Sequence, residues 1–194
     1  MPGRVASRRQ NHASLGRDGE RRIEWKTDRG VSLHAAAQVP VTVQIRPLEA
    51  DDLERLRRLF FRLSPTSVYR RFMSPIVRPS EAGLRRLVDL DHRDREALAA
   101  VVDGEVVGVA RYVRGSEPGR AEVAVVVEDA WQHRGIGGLL LKRLAARARR
   151  RGIYAFTATM LGENRAAARL LRSLSPGARF RVSYGEVEAE IPLD

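Results

Sequence analysis

The feature that most constrains this chain is a stretch in which an apolar strand runs into a glycine-rich turn and then into an amphipathic helix. The apolar run is residues 123–127, the turn holds Gly135, Gly137 and Gly138, and the helix starts near Ile136. Glycine allows close approach of the backbone to a ligand, and the first amides of a helix lack intrahelical acceptors, so they can bind an anion. The pattern therefore predicts a pyrophosphate site where this helix begins.

Composition limits the class of protein. The 194 residues fit one domain of common size and include no cysteine, which excludes disulfides, thiolate catalysis and cysteine-ligated metal. The histidines show no metal-site pattern, so we predict no metal. No apolar run approaches the ~20 residues of a membrane helix, and the chain does not open on an apolar secretory segment. We therefore expect no membrane association and a cytoplasmic location.

The charge of the chain is strongly positive. A net charge of +11 arises almost wholly from arginine. The arginines are spread over every predicted helix instead of forming a stripe with interleaved aromatics, which disfavours nucleic acid as the main partner. Residues 1–40 show little periodicity and hold paired arginines and scattered glycines, so we expect a disordered basic N-terminal extension there. Residues 41–194 are expected to form one folded domain.

The periodicity of apolar residues from position 41 onwards predicts a mixed α and β domain. Alternation at residues 41–46 indicates a first strand, and cap residues open three helices near Asp51 or Asp52, Ser64 and Ser80. Three β-rich runs, joined by short turns, predict an antiparallel meander. The remaining elements are a long helix, a strand, a helix and a closing hairpin. The meander covers residues 97–102, 106–113 and 121–127, and the later elements cover residues 136–151, 154–160, 164–173, 179–184 and 187–191.

Two common phosphate-binding loops do not fit the glycine turn. A P-loop needs Gly-Lys-Ser/Thr, whereas Gly137 is followed by Gly138 and Leu139. A dinucleotide fold needs a third glycine within a parallel βαβ unit, but Leu140 occupies that position and the preceding strands are predicted to be antiparallel. Neither a nucleoside triphosphatase nor a dinucleotide-binding enzyme is indicated.

The turn from Gln132 to Gly137, Gln-His-Arg-Gly-Ile-Gly, matches the pattern Gln/Arg-x-x-Gly-x-Gly/Ala. It resembles the acetyl-CoA signature of the GNAT acetyltransferase superfamily. The order of predicted elements over residues 41–192 also resembles a whole GNAT domain. The resemblance implies an α/β (α+β) fold with a central mixed, mostly antiparallel sheet of about seven strands flanked by helices.

Within that superfamily the chain is most similar to the catalytic domain of bacterial protein lysine acetyltransferases. The similarity lies in four phrases: residues 63–72 (LSPTSVYRRF), 107–112 (VGVARY), 121–127 (AEVAVVV) and the pair Glu163-Asn164.

The resemblance implies roles for two groups of cofactor-binding residues. Main-chain groups of Val125 and Val127 would bind the pantetheine arm of the cosubstrate acetyl-CoA, and Asn164 would touch the same arm or cap the following helix. The side chain of Arg134 would add charge-assisted bonds to phosphate unless it is a solvated surface group. The pyrophosphate would be bound by the backbone amides of the turn, namely those of Gln132, His133, Arg134, Gly135, Ile136, Gly137 and Gly138.

Acetyl transfer to an amine needs a base, because a lysine amine with a pKa near ~10.4 is mostly protonated at neutral pH. Glu122 is the candidate catalytic residue: it is a carboxylate within an apolar strand, and related lysine acetyltransferases place a glutamate there. The alternative role of Glu122 is structural, as a solvent-facing carboxylate paired with Arg111 or Arg120. The position at which many GNAT members carry a tyrosine acid is Leu171, so the proton donor would be solvent or a tyrosine from elsewhere, such as Tyr112 or Tyr184.

These observations predict an acetyl-CoA-dependent N-acetyltransferase that acts on a primary amine in a ternary complex by direct attack. The favoured acceptor is a lysine of a protein. Two alternatives remain open: a small-molecule amine acetyltransferase, and a non-catalytic acyl-CoA-binding regulatory module. The second is consistent with Leu171, which cannot donate a proton.

Overall fold

An eight-stranded sheet organises the described part of the chain, residues 31–33 and 41–193, in this computed structural model. The strands lie in the order β1-β2-β3-β4-β5-β6-β8-β7. They are β1 (Val31–Leu33), β2 (Val41–Pro47), β3 (Arg95–Val102), β4 (Glu105–Arg114), β5 (Arg120–Val127), β6 (Ala155–Leu161), β7 (Arg179–Ser183) and β8 (Glu186–Pro192). The helices are α1 (Leu53–Arg62), α2 (Pro65–Phe72), α3 (Glu81–Val88), α4 (Ile136–Arg150) and α5 (Arg165–Leu174).

This architecture confirms the predicted fold class. The seven strands from Val41 onwards and all five helices lie where the periodicity of the sequence places them. The additional strand β1 pairs with β2 at the edge of the sheet, within the segment expected to lack a fold. The rest of the expected N-terminal extension, residues 1–30 and 34–40, lies outside the described residues, and the division into two regions stays a prediction.

The sheet is antiparallel except where β5 meets β6. Strands β2 to β5 form the expected meander, and β6 pairs with β8 over its whole length. The parallel pairing of β5 with β6 covers only Arg120–Glu122 against Ala155–Thr157. Beyond that point the two strands separate, which leaves a gap in the middle of the sheet.

Helices cover both faces of the sheet and build two apolar cores. On one face, α4 buries Leu140, Leu141 and Leu144 against strands β3 to β5. On the other face, α1 buries Leu56 and Leu59 against β3 and β4. The gap between β5 and β6 is the place where ligand-binding groups from both layers can meet. Among the described helices none is long and apolar enough to cross a membrane.

A buried carboxylate fixes the start of α1. Asp52 is fully buried, binds Arg46 through two hydrogen bonds of 2.6 and 2.7 Å, and also accepts bonds from Arg55 and the Glu49 amide. Burial alone would raise the pKa of Asp52, but the hydrogen bond from Arg46 and the neighbouring positive charges hold that pKa below its ordinary value.

We expect Asp52→Asn to lower the free energy of unfolding by about 3 kcal/mol, because it leaves two arginines without their counter-ion. The loss should be complete at neutral pH and should shrink as the pH falls through the lowered pKa of the native carboxyl, where wild-type Asp52 is itself protonated. Denaturant titration at several pH values measures it. Asp51→Asn, at the exposed neighbouring carboxylate, is the control; an equal loss in both variants would contradict the assignment.

Candidate active site

The predicted phosphate turn lies directly between β5 and α4. A short 3-10 turn, Asp129–Trp131, follows β5, and Gly135 caps α4 in the left-handed conformation with φ of 80°. His133 is also left-handed, with φ of 59°. Turns that contain left-handed residues can direct successive backbone N–H groups towards one side and form a concavity for anions. The turn therefore has the backbone geometry that a phosphate needs.

The amide of Gln132, predicted to bind pyrophosphate, instead donates to the Asp129 carbonyl at 3.3 Å, whereas the amides that follow it are free to bind a ligand. Among the described residues, none accepts a hydrogen bond from the amides of His133, Arg134 or Gly135. The first amides of α4 likewise have no intrahelical acceptor. A cavity of about 410 Å³ lies against them and extends along β5 to α5. These residues fit a pyrophosphate followed by an extended arm.

The side chain of Gln132 forms hydrogen bonds within the protein that link the turn to β5 and α2. Its Nε2 donates to the carbonyl oxygen of Val127 at 3.0 Å and to Oγ of Ser67 at 3.2 Å. Asp129 accepts hydrogen bonds from the amide and hydroxyl of Ser64 and from the Ser67 hydroxyl. Burial would raise the pKa of Asp129, but these Ser64 and Ser67 bonds lower it below its ordinary value. Helix α2 is thus fastened to the phosphate turn.

The main chain of β5 presents free groups to the gap. The Glu128 amide donates to the Val107 carbonyl at 2.8 Å, so Glu128 and Val107 are a hydrogen-bonded pair of the β4–β5 ladder. Along antiparallel strands, hydrogen-bonded pairs alternate with pairs whose N–H and C=O groups point away from the partner strand. The main-chain groups of Val125 and Val127 therefore point away from β4, towards the gap, which is the orientation that the resemblance requires of them. The Val127 carbonyl is already bound by the side chain of Gln132.

Helix α5 forms the far wall of the cofactor cavity. Asn164 caps it by accepting the Ala167 amide at 3.1 Å, and the same residue lines the cavity, so both of its predicted roles are compatible. A Cβ at Gly137 would lie 3.2 Å from Cδ2 of Leu170. Glycine at this position therefore lets α5 approach the phosphate turn closely.

The structure brings together almost all of the predicted cofactor-binding residues. The exception is Arg134, which is exposed and stacks over the Trp131 ring with its guanidinium 4.8 Å from the ring centroid. The sequence analysis did not predict that α2 and the inner side of α5 line the cavity. The segment 63–72, which carries part of the family resemblance, includes α2. The cavity-lining residues that were missed include Ser67, Arg70, Arg71, Ala167, Arg169, Leu170 and Ser173.

A second cavity of about 370 Å³ lies on the other side of β5, between α1, α3 and the segment that joins α2 to α3. Its lining is mostly apolar, with Leu56, Leu59 and Leu87 among the contributors. Arg71 and Val126 line both cavities. The two spaces therefore meet beside the separation of β5 from β6, and the second cavity is the candidate acceptor site.

Glu122 lies at the point where the two strands part, paired with Thr157 across the last parallel contact. Residues two apart on a strand share a face, so its side chain lies on the same face as that of Val126, which lines the second cavity. Glu122 is exposed and forms no salt bridge with any residue that the structure describes, whereas Arg120 pairs with Glu117 and Glu190. The pairing offered as its alternative role is not formed.

The tyrosines offered as proton donors lie away from the cavities. Tyr112 is fully buried and its hydroxyl donates to the Arg93 carbonyl at 2.9 Å. Tyr184 is fully exposed in the β7–β8 turn. Leu171 is buried in the core. Within the described residues, no group of three or more metal-binding side chains is present either.

Comparisons with known proteins find similarity to acetyltransferases. The model of the acetyltransferase (GNAT) family matches residues 54–175. The chain is 38% identical over 136 residues to acetyltransferase PA5475 of Pseudomonas aeruginosa, covering 68% of this chain and 71% of that one. It is 33% identical over 170 residues to acetyltransferase Pat of Mycolicibacterium smegmatis, covering 82% of this chain but 50% of Pat. The crystal structure of the GNAT domain of S. lividans PAT superposes with a TM-score of 0.72 at 35% identity, covering 78% and 91% of the two chains.

The fold and these relatives thus define the class of protein as an acyltransferase. The chain belongs to the GNAT acetyltransferase family. The prediction of an N-acetyltransferase with acetyl-CoA as its cosubstrate is confirmed.

We expect Gly135→Ala to weaken binding of coenzyme A by roughly tenfold, because a left-handed alanine costs about 1–2 kcal/mol and the turn will relax away from the shape that aims its amides. Calorimetric titration with coenzyme A measures the change. Gly152→Ala is a matched control, since Gly152 follows α4 with a similar φ of 72° but lines neither cavity. Equal affinities in the two variants would argue against the turn as the binding site.

Proposed function

We propose that this protein transfers the acetyl group of acetyl-CoA to a primary amine held in the second cavity, and that the natural acceptor is a lysine side chain of a protein. The observation that carries this proposal is the junction of the two cavities at Arg71 and Val126, beside the point where β5 leaves β6. A cofactor on one side of the junction and an amine on the other can meet there.

The residues of the cofactor cavity bind acetyl-CoA and orient it. The amides from His133 to Gly138 hold the diphosphate, and the free main-chain groups of Val125 extend the strand pairing to the pantetheine arm. The uncommitted amide group of Asn164 is available to the same arm. Acetyl-CoA supplies an activated acyl thioester, and fixing it beside the acceptor removes much of the entropic barrier to a reaction between two molecules.

Glu122 acts as the base that removes a proton from the ammonium group of the acceptor. Its carboxylate lies on the face of β5 that also carries Val126, outside the lining of either cavity, is open to solvent, and is free of salt bridges among the described residues. It can therefore take the proton directly or through a water molecule and pass it to bulk solvent.

Two observations support a protein lysine as the acceptor. The second cavity is lined mainly by apolar side chains, which suits the methylene stem of lysine. The chain is also similar to acetyltransferase Pat and to the GNAT domain of S. lividans PAT, in agreement with the motif resemblance to lysine acetyltransferases. A small-molecule amine is the second candidate, because a volume of about 370 Å³ is in the range of small-ligand pockets.

A thiol-release assay with acetyl-CoA, crossed against lysine-containing proteins, lysine peptides and free amines, tests this function. Transfer to protein lysines, with the modified residue found by mass spectrometry, supports the proposal. Turnover with free amines alone supports the small-molecule alternative. Tight calorimetric binding of acetyl-CoA with no acceptor-dependent thiol release contradicts both and leaves an acyl-CoA-binding module.

Glu122→Gln should lower turnover at neutral pH by about 10² to 10⁴, the usual contribution of a positioned base, while the affinity for coenzyme A stays nearly unchanged. The deficit should shrink at high pH, where the amine is neutral without assistance. Steady-state rates between pH 7 and 10 measure it.

Glu117→Gln is the control for this variant, because Glu117 is an exposed carboxylate in the turn before β5 and lines neither cavity. Its turnover should equal that of the wild type. Unchanged turnover in Glu122→Gln would remove Glu122 from the mechanism.

A further inference from the structure

Three arginines line the candidate acceptor cavity: Arg78 is exposed, whereas Arg71 and Arg111 are partly buried and lack the ion pairs that most arginines on this face of the sheet form. Arg58 and Arg62 of α1 form salt bridges with Glu105, and Arg95 of β3 forms one with Asp89. Arg71 and Arg111 line the second cavity, and neither forms a salt bridge or a hydrogen bond with a residue in the described part of the chain. The guanidinium carbon of Arg71 lies over the ring of Phe72, 4.9 Å from the ring centroid.

The environment of these two side chains disfavours their charges. Burial, followed by the positive charge of Arg111, lowers the pKa of Arg71 to about 10, although Glu122 acts in the opposite direction. Burial and the charge of Arg95 lower the pKa of Arg111. Two neighbouring cations among apolar side chains repel each other and lose hydration. A single anion between them would relieve both penalties.

The position of the pair identifies which ligand brings that anion. Arg71 lines both cavities, but Arg111 lines only the second one, and it lies on β4 opposite Ala124 of β5. The phosphate turn is served by its own amides at the other end of the first cavity. An anion that contacts both arginines therefore belongs to the acceptor and not to the cofactor.

We propose that Arg71 and Arg111 form a carboxylate-binding subsite of the acceptor cavity, so that the preferred acceptor carries a carboxylate close to its reactive amine. The inference rests on the proposed function. Each guanidinium offers several donors in a planar fork that matches a carboxylate. Glu122 on the same face attracts the ammonium end, and the site as a whole is complementary to an acceptor with both charges.

Two sources can supply this carboxylate. One is an acidic side chain beside the target lysine in a protein, and the other is the carboxylate of a free amino acid. Both present the same group to the arginines, and they differ in the chain to which it is attached.

Calorimetric binding to the protein saturated with coenzyme A tests the subsite without relying on catalysis. The probes are ω-aminocarboxylates of several lengths, each compared with its neutral carboxamide, and lysine peptides with glutamate or glutamine beside the lysine. We expect at least one carboxylate probe to bind roughly 10- to 100-fold more tightly than its neutral partner, as charge-assisted hydrogen bonds imply. Preference for the glutamate peptide identifies a protein acceptor, and preference confined to the free aminocarboxylate identifies an amino acid.

Arg111→Gln and Arg71→Gln should abolish this preference, while Arg111→Lys should keep part of it. Arg86→Gln, an exposed arginine of α3 outside both cavities, is the control for net charge and should keep all of it. Because the replaced charges form no salt bridge or hydrogen bond with a described residue, the midpoint of thermal unfolding of the two glutamine variants should not fall below that of the wild type. Coenzyme A affinity of Arg111→Gln should be unchanged.

Equal binding of carboxylates and carboxamides to the wild-type protein, or an intact preference in Arg111→Gln, would overturn the subsite. Thiol release with neutral amines in that case would leave the acetyltransferase proposal standing. A carboxylate preference without thiol release from any acceptor would instead support the subsite and contradict the acetyl transfer.

Discussion

The separation of β5 from β6 is the constraint on which the rest of the structure depends. A strand in the middle of a sheet normally has both edges paired, because unpaired backbone groups in the interior are costly. Here β5 is paired with β4 from Ala121 to Val127 but pairs with β6 only as far as Glu122. The free edge beyond that point is tolerated because water, or a ligand that behaves as a short strand, can bind it. The gap then joins the two helical layers and lets the two cavities meet.

Helix α2 couples the two cavities. Its first turn is fastened to the phosphate turn through Asp129 and Gln132, and its last turn carries Arg71 to the junction. One helix thus contacts both the phosphate turn and the wall of the acceptor cavity. This arrangement gives the glutamine of the turn a structural role: the side chain of Gln132 holds α2 to the end of β5, and the amides that follow it remain free for an anion.

The sequence predicted the fold well because local signals agree with it. The caps at Ser64 and Ser80, the alternation in β2 and the glycine turn before α4 each specify their element without help from distant residues. The cofactor turn was predictable for the same reason. The acceptor cavity was not, because it forms where α1, α3 and β4 meet, and no local pattern shows that Arg71 and Arg111 come together or that neither has a described counter-ion. In an arginine-rich chain, an unpaired arginine is visible only in three dimensions.

Amide hydrogen exchange with and without coenzyme A tests the central claim most directly, namely that the free edge of β5 and the turn before α4 bind the cofactor through main-chain groups. The amides of Val125, Ile136, Gly137 and Gly138 should exchange markedly more slowly when coenzyme A is bound, while that of Val126, which already faces β4, should change little. Binding of coenzyme A without added protection at Val125 and at the start of α4 would contradict the account.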